Sequence, residues 1–155
     1  MSAPSNLLKV EHRLQETDAG CLPACVQMVA QYLGVNFTQA ELAALFESLP
    51  EGVPASRITR LQRRGFKVVY AADGELASLR QSIEQKLPPI VFLQTDTLPY
   101  WKIETAHTVV LLGLTDDEAY LNDPAFSESP QICSLAAFQT AWQEFENRYA
   151  VISRV

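Results

Sequence analysis

The chain has 155 residues, 48% hydrophobic and 19% charged, with a formal net charge of −6. This composition fits a single globular domain over 1–155 and excludes a disordered or fibrous chain; a domain of that length buries roughly 70% of its unfolded surface. The acidic balance argues against a nucleic-acid partner, which would need a basic stripe.

In chain order, residues 7–14 read as extended or irregular and lead into the Gly-containing turn Thr17-Asp18-Ala19-Gly20. A helix is expected from Cys21, because Ala24, Cys25, Met28, Val29 and Tyr32 recur at helical spacing before Gly34. Thr38 and Glu41 have capping-box spacing and open a second helix through Phe46. Ser56 starts a third helix that stops at Gly65. On it Arg57, Arg60 and Arg64 stand at i, i+3, i+7 and read as a solvated face, with Arg63 beside them.

The pattern then changes to strands. Residues 66–72 and 89–95 are rich in β-formers, with a helix at 76–86 between them. A loop rich in turn and aromatic residues, 96–106, precedes a hairpin of 107–114 and 119–122. Ser134 caps a helix running to about Phe145, and 149–155 closes the chain as a strand. Helices early and strands late predict an α+β domain with a mainly antiparallel sheet and a site in the cleft between the halves.

No run of 18 apolar residues is present, so no membrane span is expected. Residues 1–16 lack a signal peptide's apolar core. Three cysteines do not suit a disulfide framework, and a cytoplasmic, reducing location is the expectation. Cys21 and Cys25 have no accompanying HxxxH or second CxxC, so no metal or cofactor is expected. Phosphate-loop and serine-hydrolase motifs are absent.

The remaining chemistry-bearing residues are Gln15, Cys21, His107 and Asp123. A thiol becomes a good nucleophile as thiolate, which a helix N-terminus and a neighbouring imidazolium both favour. Cys21 stands at the helix start, whereas Cys25 lies one turn deeper and reads as a packing residue. His107 opens a strand, and the returning hairpin strand can set Asp123 beside it to orient the ring. Asn122 should face the other way, since side chains alternate along a strand. Gln15, with the Cys21 backbone N–H, could stabilise a tetrahedral oxyanion. Tyr100 and Trp101 are candidates to line a substrate groove. His12 and Cys133 have no such context.

The run Gln15-x5-Cys21-x2-Ala24-Cys25-x2-Met28 followed by Tyr32-Leu33-Gly34 resembles the N-terminal motif of the double-glycine leader peptidases. His107-Thr-Val-Val-Leu-Leu-Gly113 and Asn122-Asp123-Pro124 resemble that family's His and Asp segments, as does the tail Ser134-Leu-x-x-Phe138-x-x-x-Trp142. The resemblance covers nearly the whole chain. It implies a papain-like fold, with Cys21 as nucleophile, His107 as base, Asp123 as orienting acid and Gln15 in the oxyanion hole. It further implies a cysteine peptidase that cuts after small residues such as Gly-Gly, through a thioester acyl-enzyme. A peptide or protein substrate is expected, and a transporter or other partner only as a separate protein. Where the family has Asp-Cys-Gly, this chain reads Gly20-Cys21-Leu22, which sets a bulky Leu22 at a substrate-binding position. The alternatives are a non-cleaving peptide-binding module of the same fold, or an acyl transferase or amidase using the same thiol.

Overall fold

The computed structural model describes residues 6–155. Its first half carries helices α1 (Cys21–Tyr32) and α2 (Gln39–Phe46) and a 3₁₀ helix (Ala55–Arg64). Its second half alternates strands β1 (Phe66–Ala71), β2 (Ile90–Gln94), β3 (Ala106–Leu114), β4 (Glu118–Asn122), β5 (Gln131–Ser134) and β6 (Tyr149–Arg154) with helices α3 (Leu76–Glu84) and α4 (Leu135–Gln143). The six strands form one antiparallel sheet in the order β1-β6-β2-β3-β4-β5. The expected α+β segregation and antiparallel sheet are present. β5 was not expected, because its four residues beside Pro130 set Ile132 and Cys133 side by side and carry no alternating apolar signal.

Local chemistry explains the element ends. Thr38 Oγ1 accepts from Glu41 N and the Glu41 carboxylate accepts from Thr38 N, closing the capping box of α2. Ser134 Oγ accepts from Ala137 N and starts α4. The helix before Gly65 winds more tightly than its sequence pattern suggests. With about three residues per turn, Ile58 and Leu61 share one stripe and are both fully buried. The same winding aligns Arg57 and Arg60. They do not form a free solvated face: Arg57 donates to the Phe46 and Glu47 carbonyls at 3.0 and 2.6 Å, and Arg60 to the Leu45 carbonyl at 3.2 Å. These arginines satisfy the carbonyls that the end of α2 leaves unpaired.

The side of α1 carrying Leu22, Cys25, Val29 and their neighbours packs on β3 and merges with the sheet core. The segment before α1 is stitched over the sheet. Leu8 N donates to Leu112 O, Asn122 Nδ2 to Val10 O and Gln15 N to Pro124 O, at 2.9, 3.0 and 2.8 Å. Gly113 admits this segment, since a Cβ there would meet Leu7 Cδ2 at 2.5 Å. No helix among the described residues is long and apolar enough to cross a membrane.

Leu22 is only 1% exposed and belongs to this core. Leu22→Ala should therefore cost about 2–5 kcal/mol of stability, as large-to-small core changes do. Thermal or denaturant unfolding measures this. A variant with wild-type stability but altered substrate affinity would put Leu22 back in the cleft.

Candidate active site

The turn Thr17–Gly20 delivers the chain to α1, with Gly20 N bonded to Thr17 O. Gly20 is needed there, because a Cβ would fall 2.8 Å from Thr17 Oγ1 and 3.2 Å from Thr17 O. Cys21 is the first residue of α1, where the backbone N–H groups have no partners within the helix and favour an anion. Across from it, His107 is the second residue of β3 and lies 6% exposed. Its Nε2 meets Asp123 Oδ1 at 2.7 Å, which leaves Nδ1 for the thiol. Asp123 follows the end of β4, and the β3–β4 hairpin brings it back to the ring. Asn122 turns the other way, donating to Val10 O and accepting from Ser129.

Asp123 is fully buried and accepts four hydrogen bonds. His107 Nε2 and Ala125 N reach Oδ1 at 2.7 and 3.0 Å, while Tyr100 OH and Trp101 Nε1 reach Oδ2 at 2.9 and 2.8 Å. The loop that supplies the two aromatics is itself pinned by Thr95, whose hydroxyl donates to Ile103 O and accepts from Thr105 N. Trp101 also packs edge-on against the His107 ring, at 4.7 Å between centroids.

Burial alone would raise the Asp123 carboxyl, but the bond and charge of His107, with Ala125 N–H and Trp101, hold it below the usual carboxylate value. Burial would likewise lower His107, yet Asp123 and Cys21 push it up to about 9. Burial would raise the Cys21 thiol, and the His107 and Thr108 interactions outweigh that and bring it below the ordinary cysteine value. Cys25 goes the opposite way: burial, then the neighbouring charges of Cys21 and Asp123, drive it far up. The two shifts act together, each favouring the pairing of a Cys21 thiolate with a His107 imidazolium over two neutral groups.

The pair opens into a cleft of about 510 Å³ between the two halves, walled by Gln15, Glu16 and Asp18 on one side and by Trp101, Ala106 and His107 on the other. A second, more apolar cavity of about 290 Å³ adjoins Cys21 and His107 against Val53, Phe92 and Phe145. Gln15 reaches the cleft, but its Nε2 donates to the Thr17 and Asp18 carbonyls at 2.9 and 3.1 Å. One of those bonds must be released before the amide can serve an oxyanion.

Two sequence expectations change here, and a third gains a second role. Leu22 is not a wall of either cavity, since its side chain follows α1 into the core. Tyr100 also lines neither, because its hydroxyl points inward to Asp123. Trp101 does face the cleft but holds Asp123 as well. Thr108, whose Oγ1 lies 3.6 Å from Cys21 Sγ, went unnoticed because strand alternation separates it from His107. His12 Nε2 bonds Phe126 O at 2.6 Å, and the Phe126 ring packs edge-on against Tyr100 and Trp101. Among the described residues, one group of carboxylates is close enough for a metal, Asp96, Glu104 and Glu144; it is exposed and lines neither cavity.

A thiol at a helix start, met by an imidazole with a carboxylate behind it, at the seam of a helical lobe and an antiparallel sheet, defines a papain-like cysteine peptidase. The more specific assignment comes from comparison. The sequence profile of the peptidase C39 family matches residues 9–146, and the chain belongs to that family. No curated protein sequence matches. Among solved structures it is similar to one described as a C39-like peptidase from Bacillus anthracis, with TM-score 0.78, 16% identity and coverage of 96% of this chain and 97% of the other. It is similar to the peptidase domain of Streptococcus ComA, a bifunctional ABC transporter in a quorum-sensing pathway (TM-score 0.77, 20% identity, coverage 95% and 100%). It also resembles a double-glycine motif protease from an AMS/PCAT transporter, solved with its leader peptide (TM-score 0.74, 18% identity, coverage 96% and 94%).

Two measurements check the electrostatics. Iodoacetamide near pH 7 should modify Cys21 far faster than Cys25 or Cys133, read by peptide mass spectrometry; equal slow labelling of all three would refute the ion pair. Imidazolium is present below about 9 and lost above it, so any turnover that draws on its Nδ1 proton, read as kcat/KM against pH, should decline on the alkaline side. Asp123→Asn removes the charge that raises His107 and should move that alkaline limb to lower pH.

Proposed function

We propose that Cys21 is the nucleophile and His107 the general acid and base of a peptide-bond hydrolysis through a thioester. The observation that carries this reading is the buried Asp123–His107 contact at 2.7 Å beside a thiol at a helix start. The Cys21 thiolate attacks the scissile carbonyl carbon, forming the C–S bond and moving charge to the carbonyl oxygen. The backbone N–H of Cys21 and the amide of Gln15 are the donors for that oxyanion, once Gln15 leaves its turn carbonyls. His107 Nδ1–H then gives its proton to the departing amine as the tetrahedral species collapses to the thioester. In the second half His107, now neutral, takes a proton from water, whose oxygen displaces the Cys21 sulfur. Asp123 keeps Nε2–H fixed and stabilises each imidazolium.

The substrate class we infer is a peptide with small residues before the scissile bond, carried on a leader segment and delivered by a separate transporter or other partner. Support comes from membership of the family and from the structural likeness to peptidase domains of transporters.

The test is cleavage of leader-type peptides carrying Gly-Gly, set against peptides with larger residues at those positions. Cys21→Ala and His107→Ala should each lower kcat by roughly 10³-fold or more, as loss of a nucleophile or base does in hydrolases that work this way. Wild-type rates in either variant would overturn the assignment. Binding of peptide without turnover by the wild-type protein would favour a recognition module instead.

A further inference from the structure

Thr108 is 5% exposed, and its hydroxyl has one hydrogen-bond partner among the described residues, the Cys21 sulfur at 3.6 Å. Its backbone carbonyl accepts from Cys25 Sγ at 3.3 Å. A buried hydroxyl carries one proton that needs an acceptor, and leaving it without one is costly. A neutral Cys21 thiol has a single proton to offer. If it gives that proton to Thr108 Oγ1, the hydroxyl proton has nowhere to go and His107 Nδ1 loses its partner. If the thiol proton moves to His107, the sulfur becomes an acceptor with several lone pairs. The imidazolium Nδ1–H and the Thr108 O–H can then both donate to it. A neutral thiol sulfur accepts only weakly, so the charge-separated state is the one that offers both donors a strong acceptor.

We propose that the Thr108 hydroxyl is a second hydrogen-bond donor to the Cys21 thiolate, sharing with His107 the task of holding the nucleophile ionised and aimed. The inference rests on Cys21 being the nucleophile, as argued above. It adds a group that neither the Cys-His-Asp constellation nor the oxyanion donors include. Charge-assisted bonds of this kind are stronger than neutral ones, so a single hydroxyl can matter. The effect of Thr108 on the Cys21 thiol is in the same direction: against burial, and after His107, its bond favours the ionised form. The contact from Cys25 to the Thr108 carbonyl uses backbone on the strand side, so it survives a change of the Thr108 side chain and fixes where the hydroxyl sits.

The test reads the thiol itself and needs no peptide, so it can fail while the peptidase reading stands, and the converse. The rate of iodoacetamide alkylation at Cys21, resolved by mass spectrometry, is measured from acidic to alkaline pH for wild type, Thr108→Val and Thr108→Ser. Valine keeps the branched shape and removes only the hydroxyl. Below the midpoint of its profile Thr108→Val should react roughly tenfold more slowly, because a tenfold change in thiolate fraction accompanies one pH step in its ionisation. At alkaline pH the rates should converge. Thr108→Ser should follow wild type. Should Thr108→Val fail to fold, Thr108→Ala against Thr108→Ser makes the same comparison, with thermal melting as the check on fold. A valine or alanine profile that superimposes on wild type overturns the proposal. So does a serine profile that matches valine, since the methyl group and not the hydroxyl would then be what counts.

Discussion

A carboxylate placed out of water is expensive, by several kcal/mol for a lone ion even after relaxation. Asp123 is fully buried and meets that cost with four donors, two on each oxygen. The rest of the site takes its shape from this arrangement. The charge on Asp123 keeps His107 protonated, and the two aromatic donors and the Ala125 amide fix the direction from which it does so. Remove the carboxylate and three side chains from two elements lose their reason for standing where they do. The loop 95–105, the β3 entrance and the turn after β4 are bound together through one residue.

The two cysteines of α1 show how local such control is. They are separated by one helical turn and share a strand residue as partner, Thr108. Cys21, half-buried at the helix start, gains the imidazolium and is held down; Cys25, fully buried, gains only desolvation and like charge. Position on the helix, and not the chemistry of sulfur, separates a thiol whose ionisation is favoured from one whose ionisation is opposed.

Much of this was legible in the sequence. The helix beginning at Cys21, the capping box at Thr38 and the cap at Ser134 follow from short-range rules that act within one turn. The hairpin that sets Asp123 beside His107 follows from the pairing of β-rich segments. What escaped depended on long-range contacts. Leu22 reads as a neighbour of the nucleophile, yet a helix sends successive side chains about 100° apart, and this one faces the core. Tyr100 reads as a groove aromatic because nothing in a loop sequence says that its hydroxyl will point inward to Asp123. Arg57 and Arg60 read as solvated because their acceptors, the carbonyls of Leu45, Phe46 and Glu47, lie in a different helix. Thr108 is hidden by the rule of alternation, which says which face of the sheet a side chain takes and not which helix packs there.

The segment before α1 has a consequence for the cleft. Residues 7–15 belong to no helix or strand, yet Leu8, Val10 and Gln15 are each tied by one bond to the outgoing or returning arm of the β3–β4 hairpin or the turn after it. The last of those ties, Gln15 N to Pro124 O, holds the proposed anion donor one residue along from Asp123. The two sides of the reaction centre therefore answer to different parts of the chain: the imidazole and its carboxylate to the sheet, the amide donor to a strap of about nine residues laid across it. Leu14 O and Glu16 N, on either side of Gln15, are also tied to the Gln39 side chain of α2, so the anion-binding side of the cleft is braced by the helical half as well as by the hairpin.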